Sequence, residues 1–177
     1  MHPVRTNLPC RRIQIEEIWS FVHGKEKNLS GHLQGRWGMG DVWTFTALCA
    51  DTKLVPCWQV GRRDGAAGKQ FLLNLAARIR GRFELAGDGL LADREAVQEA
   101  LAGEAALAPL QHLSRFNRFS KTFSRKLGNL THALSLHFMN YNFAQIHADL
   151  QMTPAMAAGV SDHVWGLEEI AGLPDAQ

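Results

Sequence analysis

Arg12-Ile13-Gln14-Ile15-Glu16-Glu17-Ile18-Trp19-Ser20-Phe21-Val22 is the stretch on which the fold turns. Ile13, Ile15, Trp19 and Phe21 share one parity, and the β-branched and aromatic content favours a strand over a helix. Glu16 falls on the other parity. Beyond a stretch containing Gly, Lys and His, Val42-Trp43-Thr44-Phe45-Thr46-Ala47-Leu48 reads as a second strand. Asp51-Thr52-Lys53 is a turn, and residues 54–60 form a third run in which Pro56 demands an edge position, a bulge or a strand start. Two strands about so short a turn make a hairpin. Between residues 64 and 82, Phe71, Leu72, Leu75, Ala76 and Ile79 recur at helical steps, with Arg78, Arg80 and Arg82 at the C-terminal end and Gly81 as a stop. Phe83-Glu84-Leu85-Ala86 is a short strand running into Asp88-Gly89.

The order is therefore β-β-β-α-β within an α/β chain. Three antiparallel strands, a crossover helix and a fourth strand parallel to the first fit the opening half of a ribonuclease-H-like mixed sheet. Residues 90–107, rich in Ala, Leu and Glu, read as helix, interrupted at Gly103 and again before Pro109. From residue 111 to 147, Leu113, Phe116, Phe123, Leu127, Leu130, Leu134 and Phe138 hold helical spacing. Arg115, Arg118, Lys121 and Arg125 follow on an adjoining face, so a long basic helix is expected, with Gly128 as the place for a kink. Thr153-Pro154 reads as a cap followed by proline in the first turn, and Asp162 as the cap of a last short helix. The expected organisation is an arm over residues 1–11 and one domain over residues 12–177, with a helical C-terminal part.

A length of 177 residues suits one core, and 46% hydrophobic with 20% charged residues argues against a disordered chain. The net charge of +2 hides blocks. Residues 1–83 carry 13 basic and 6 acidic side chains, residues 84–110 carry 1 and 6, residues 111–147 carry 5 and 0, and residues 148–177 carry 0 and 5. A polyanion would meet two positive regions. Cys10, Cys49 and Cys57 are odd in number and form no CxxC, so inert thiols in a reducing cytoplasm are expected. Arg11-Arg12 is followed by Gln14, Glu16 and Glu17 where an export signal needs an apolar run. The uncharged stretch 127–148 is broken by Asn and His, so no membrane association is expected.

Two groups of residues carry chemistry. Glu16 or Glu17 lies mid-strand, and Asp88 ends the fourth strand, 72 residues after Glu16. In a sheet of this order the first and fourth strands are neighbours, so two carboxylates would stand side by side. That is what a pair of Mg²⁺ ions about 4 Å apart requires, because hard cations take oxygen ligands and keep positions open for phosphate and water. On spacing alone, an acidic residue in an exposed strand and an Asp-Gly turn account for the same residues. The second group is the basic run Arg115, Arg118, Lys121, Arg125 and Lys126, interleaved with Phe116, Phe119 and Phe123. It reads as a phosphate-backbone contact or as a solvated helix face over core phenylalanines. The histidines show no HxxxH spacing, no GxSxG is present, and Gly38-Met39-Gly40 reads as a hairpin connection.

Three stretches together resemble a known family. They are residues 12–22; Gly40-Asp41-Val42-Trp43-Thr44-Phe45-Thr46-Ala47 with Asp51-Thr52-Lys53-Leu54-Val55-Pro56; and Tyr141-Asn142-Phe143 with His147, Leu150, Thr153-Pro154-Ala155-Met156-Ala157-Ala158-Gly159 and Asp162-His163-Val164-Trp165. In this order, over most of residues 5–172, they resemble the bacterial insertion-sequence transposases of the DDE type, in the group of insertion sequence one. The resemblance implies a ribonuclease-H-like domain in which Asp, Asp and Glu hold two Mg²⁺ ions to cut element ends and join them to target DNA. It places Glu16 where the family has its first Asp, one methylene longer in reach, and Asp88 at the second Asp. The region of the family's Glu is expected to be deleted, since the chain passes from Glu95-Ala96-Val97 almost directly to residue 111. Glu104 is the nearest candidate by position. The implied account is a truncated, internally deleted copy with an incomplete sheet, lacking a DNA-recognition segment and weakly active or inactive. Its partners would be DNA, another copy of itself or a full-length transposase. The alternative is a non-catalytic remnant that binds DNA or a transposase.

Overall fold

The computed structural model describes residues 7–87, 101, 105–107 and 123–172. Strand β1 (Arg12–Val22) is the middle of a mixed sheet of order β3-β2-β1-β4-β5, built with β2 (Gly40–Cys49), β3 (Cys57–Gly61), β4 (Phe83–Gly87) and β5 (Ala105–Leu107). β2 runs antiparallel to β1, from Ile13 opposite Cys49 to Val22 opposite Gly40, and β3 runs antiparallel to β2. β4 lies parallel to β1 and β5 parallel to β4. The short strand β6 (Phe123–Ser124) joins β1 at Phe21 and Val22.

Both faces of β1 are covered, as expected for a central strand next to a parallel neighbour. On one face, helix α1 (Gly65–Ala76) packs Phe71, Leu72 and Leu75 against Ile13, Ile15, Phe45 and Ala47. On the other, helix α2 (Leu127–Met139) packs Leu130, Leu134 and Phe138 against Ile18, Val22, Val42 and Leu48. Asp64 caps α1 by accepting from the Ala67 N–H at 2.9 Å, and Pro56 stands immediately before β3, where its missing donor costs no ladder bond. The turn between β2 and β3 places Lys53 at φ 59.

The order β-β-β-α-β holds, but four local expectations are corrected. The sheet is not cut short after β4. Residues 105–107, read as helix from their alanines, form β5, because pairing beside β4 outweighs helix propensity. The long basic helix does not run unbroken: Phe123–Ser124 is a strand, and helix begins only at Leu127. Gly128 sits in the first turn of α2, and the irregularity comes at the other end, where Asn140–Ala144 widens into a π-helical turn. Asp162 does not cap the final helix α4 (Leu167–Gly172). The carboxylate that accepts from Gly166 N–H there, at 2.8 Å, is that of Glu169.

The cap at Thr153 and the buried thiols are as the sequence suggests. Thr153 caps the short helix α3 (Pro154–Ala157) by accepting from the Met156 N–H at 3.2 Å. Cys10, Cys49 and Cys57 are free and buried. The end of the N-terminal segment is held to the domain, with Leu8 and Cys10 in the core and Leu8 bridged to Ile79. No helix among the described residues is long and apolar enough to cross a membrane.

Candidate functional site

The registers of β1 set out the site. β4 accompanies β1 from Arg12 opposite Glu84 to Ile15 opposite Gly87, and β6 rejoins the same strand at Phe21. Glu16 is the first residue past the β4 partners. Its main chain is pinned from the other side, where Thr46, its partner on β2, aims its Oγ1 at the Glu16 carbonyl at 3.4 Å.

Alternation puts Glu16 on the α2 face with Gln14, Ile18, Ser20 and Val22. The buried hydroxyls of Ser20, Thr44 and Thr46 lie along β1 and β2 on this face, a polar strip beside the apolar contact with α2. The α2 core contacts fall over β1, β2 and β3. Toward β4 the same face carries Gln14, Glu16, Glu84 and Ala86, all half-buried or exposed. Glu16 therefore sits where an apolar helix contact gives way to a more open, polar shelf.

Glu17 points to the α1 face and is excluded from that shelf. Its side chain is 6% exposed, and its Oε2 accepts from Arg63 Nε at 2.8 Å. Arg63 also lies over the Trp43 ring, 4.6 Å from its centroid. Between the two adjacent carboxylates, Glu17 is thus a structural ion pair and Glu16 is the residue facing the α2 side.

Asp88 follows Gly87 in the chain and lies outside the described residues, as do Glu104, Arg115, Arg118 and Lys121. Arg125 and Lys126 are described: both are exposed, in the connection between β6 and α2. They stand near the end of β1 because β6 pairs with Phe21 and Val22, and His23 N–H donates to the Ser124 carbonyl at 2.7 Å. Their cationic character is as expected, but they are presented by a turn. Helix α2, the element covering the α2 face, contains no Asp or Glu in Leu127–Met139. Among the described residues no group of three or more His, Cys, Asp or Glu side chains is gathered to hold a metal ion.

Sequence reading missed a cluster at the far end of the sheet, where β1 and β3 finish and β2 begins. Lys25 Nζ lies 5.4 Å from the ring centroid of Trp19, and the Arg62 guanidinium carbon lies 5.5 Å from that of Trp37. With Arg63 on Trp43, three tryptophans each carry a cation. The signal available was the presence of Trp19, Trp37 and Trp43 with Lys25, Arg62 and Arg63 in one stretch of chain, which strand reading absorbs as core.

No family model matches the chain, and no curated protein matches it. Among the solved structures with a similar fold is a chain from the cryoEM structure of a simian T-cell lymphotropic virus intasome in complex with PP2A regulatory subunit B56 gamma. The TM-score is 0.55 at 14% identity, over 91% of this chain and 58% of that one. This chain therefore spans less than two thirds of its structural neighbour. The likeness concerns the fold and is consistent, at a coarse level, with a ribonuclease-H-like sheet.

Proposed function

We propose that the chain is a DDE-type DNA transposase domain of the insertion-sequence-one group, with a weakened catalytic centre. The observation that carries this reading is the register of β1 and β4. Ile15 and Gly87 are partners on parallel strands, and Glu16 and Asp88 are the next residues along each. Each carboxylate is thus one residue beyond a paired couple in the chain. The fold likeness to an intasome chain supports the same reading.

Glu16 and Asp88 would hold Mg²⁺, their oxygen donors suiting a hard cation. When bound, a pair of such ions activates a water or a 3′-hydroxyl and stabilises the leaving oxygen. The chain's own contribution is to hold Glu16 rigidly, through its position on a doubly covered strand. Two features weaken the centre. Glu16 reaches one methylene further than the family's Asp, a displacement that positioning chemistry tolerates poorly. The third carboxylate is not supplied by α2, which leaves Glu104 as the nearest candidate by sequence.

A second reading, a non-catalytic remnant that binds DNA or a full-length transposase, draws on that carboxylate-free helix together with exposed Arg125 and Lys126. Joining of labelled element ends by the purified chain with Mg²⁺ or Mn²⁺ separates the two. Weak joining that rises in Glu16→Asp and vanishes in Asp88→Ala supports the first. Salt-dependent DNA binding with no joining in any variant supports the second.

A further inference from the structure

We propose that the tryptophan-rich end of the sheet is a stacking platform for the unpaired bases of single-stranded DNA, separate from the Glu16 face. The loop between β1 and β2 is built to present Trp37. Gly35, Gly38 and Gly40 adopt φ of 70, 84 and 76, and the Glu26 carboxylate closes the loop by accepting from Gly35 N–H at 2.7 Å. Glu26 N–H in turn donates to Asp41 Oδ1 at 3.1 Å. Trp37 is 46% exposed, and Arg62, which donates to the Gly35 carbonyl at 2.9 Å, lies over its ring.

An exposed indole held this firmly loses little freedom when a ligand stacks on it. On the strands behind, Trp19 and Trp43 are direct cross-strand partners, both half-buried, with Phe21 5.7 Å from Trp19. The electrostatics fit a polyanion. Among the described residues, Lys25 and Arg62 lie within ion-pair distance of no carboxylate, while Glu17, Glu26 and Asp41 are each held by an internal hydrogen bond. Arg125 and Lys126 are delivered near this end by β6.

Alternating rings and cations match the alternating bases and phosphates of a single strand, where aromatic stacking gives affinity without sequence readout. Duplex DNA hides its base faces and could use only the cations. The choice of DNA over RNA rests on the function proposed above; the stacking chemistry does not.

The test is fluorescence anisotropy of a labelled oligothymidine titrated with the full chain, with duplex DNA, oligouridine and anionic vesicles as parallel arms. Trp37→Ala and Lys25→Gln are compared after each is shown to melt like the parent. The expected results are a preference for the single DNA strand and a loss of about tenfold or more in Trp37→Ala. Lys25→Gln should reduce the salt slope by about 0.7. Binding by the parent should be the same in Mg²⁺ and in EDTA, so failure of the catalytic reading leaves this one standing. Equal binding of parent and Trp37→Ala, a preference for duplex or vesicles, or no binding by the folded parent would overturn the proposal. Equal binding of oligouridine and oligothymidine would overturn the assignment to DNA.

Discussion

The side chain of Asn142 completes the backbone of Val55: its Oδ1 accepts from the Val55 N–H at 2.9 Å, and its Nδ2 donates to the Val55 carbonyl at 3.0 Å. Both residues are buried, in sequence positions 87 apart. Val55 lies between the β2–β3 turn and Pro56, where no ladder serves its backbone, and Tyr141 reinforces the junction by donating to the Lys53 carbonyl at 3.0 Å. The turn after α2 is thereby fastened to the sheet. Asn142→Ala strands a buried donor and acceptor, at an expected cost of about 2–4 kcal/mol in urea unfolding. Asn142→Asp keeps the acceptor and loses the donor, and should also destabilise near neutral pH. A change below about 0.5 kcal/mol for both would show that the clamp contributes little.

Arg63 joins Glu17 to Trp43, and one partner is nearly buried while the other is half-exposed. Arg63→Ala leaves the Glu17 carboxylate without its guanidinium, and the expected cost is about 1–2 kcal/mol, below that of a fully buried pair. Arg63→Lys keeps the charge but loses the planar stack, so it should fall between parent and Ala in thermal unfolding.

Gly40 is held at φ 76, and a Cβ there would overlap the Glu26 carboxylate. Gly40→Ala therefore strains the backbone and pushes the Glu26 carboxylate off Gly35. A loss of about 1–2 kcal/mol is expected, together with weaker single-strand binding as Trp37 loses its support. Unchanged Trp37 emission and stability would contradict this coupling of loop shape to ring position.

His163 lies between two carboxylates, with Nε2 2.9 Å from Glu169 and Nδ1 2.6 Å from Asp162. Its pKa is raised above the ordinary 6.5, first by Glu169 and then by Asp162. Glu169 is held below 4.5, first by Gly166 N–H and then by His163, and Asp162 below 3.8 by His163. A raised histidine stabilises fully below 6.5 and loses its effect as pH climbs through the raised value; the lowered acids act above 4.5 and 3.8 and fail as pH falls. The segment is therefore tightest between about pH 4.5 and 6.5. These groups are solvent-exposed, so the response should be local, seen in His163 ring shifts by NMR and in the emission of Trp165, whose ring lies tilted against Phe143 with centroids 4.4 Å apart. A His163 midpoint at or below 6.5 would contradict it.

The legible parts of the fold were those where side-chain pattern and backbone agree. Residues 12–22 alternate and Thr153 sits where a cap belongs, so β1 to β4 and α1 are legible from pattern, although α1 ends at Ala76, short of Arg78, Arg80 and Arg82, and of the places open to Pro56 the structure takes the one just before a strand that starts at Cys57. β5 was hidden because Ala105-Ala106-Leu107 has the composition of a helix and is made a strand only by β4 beside it. The break at Phe123 was hidden because helical spacing of apolar residues persists through a segment that pairs with β1 instead. At the site, the choice between Glu16 and Glu17 needed Arg63, which lies 46 residues from Glu17 in the chain. The tryptophan–cation pairs depend on three strand ends meeting, which no local window contains.

The central claim is that Glu16 and Asp88 serve one metal site, and calorimetric titration of the purified chain with Mg²⁺ or Mn²⁺ tests it most directly, with Glu16→Ala and Asp88→Ala alongside. The account predicts binding by the parent that is lost in each variant while both variants still unfold cooperatively. A cooperatively folded parent that binds neither ion, or binding that survives either substitution, would contradict it.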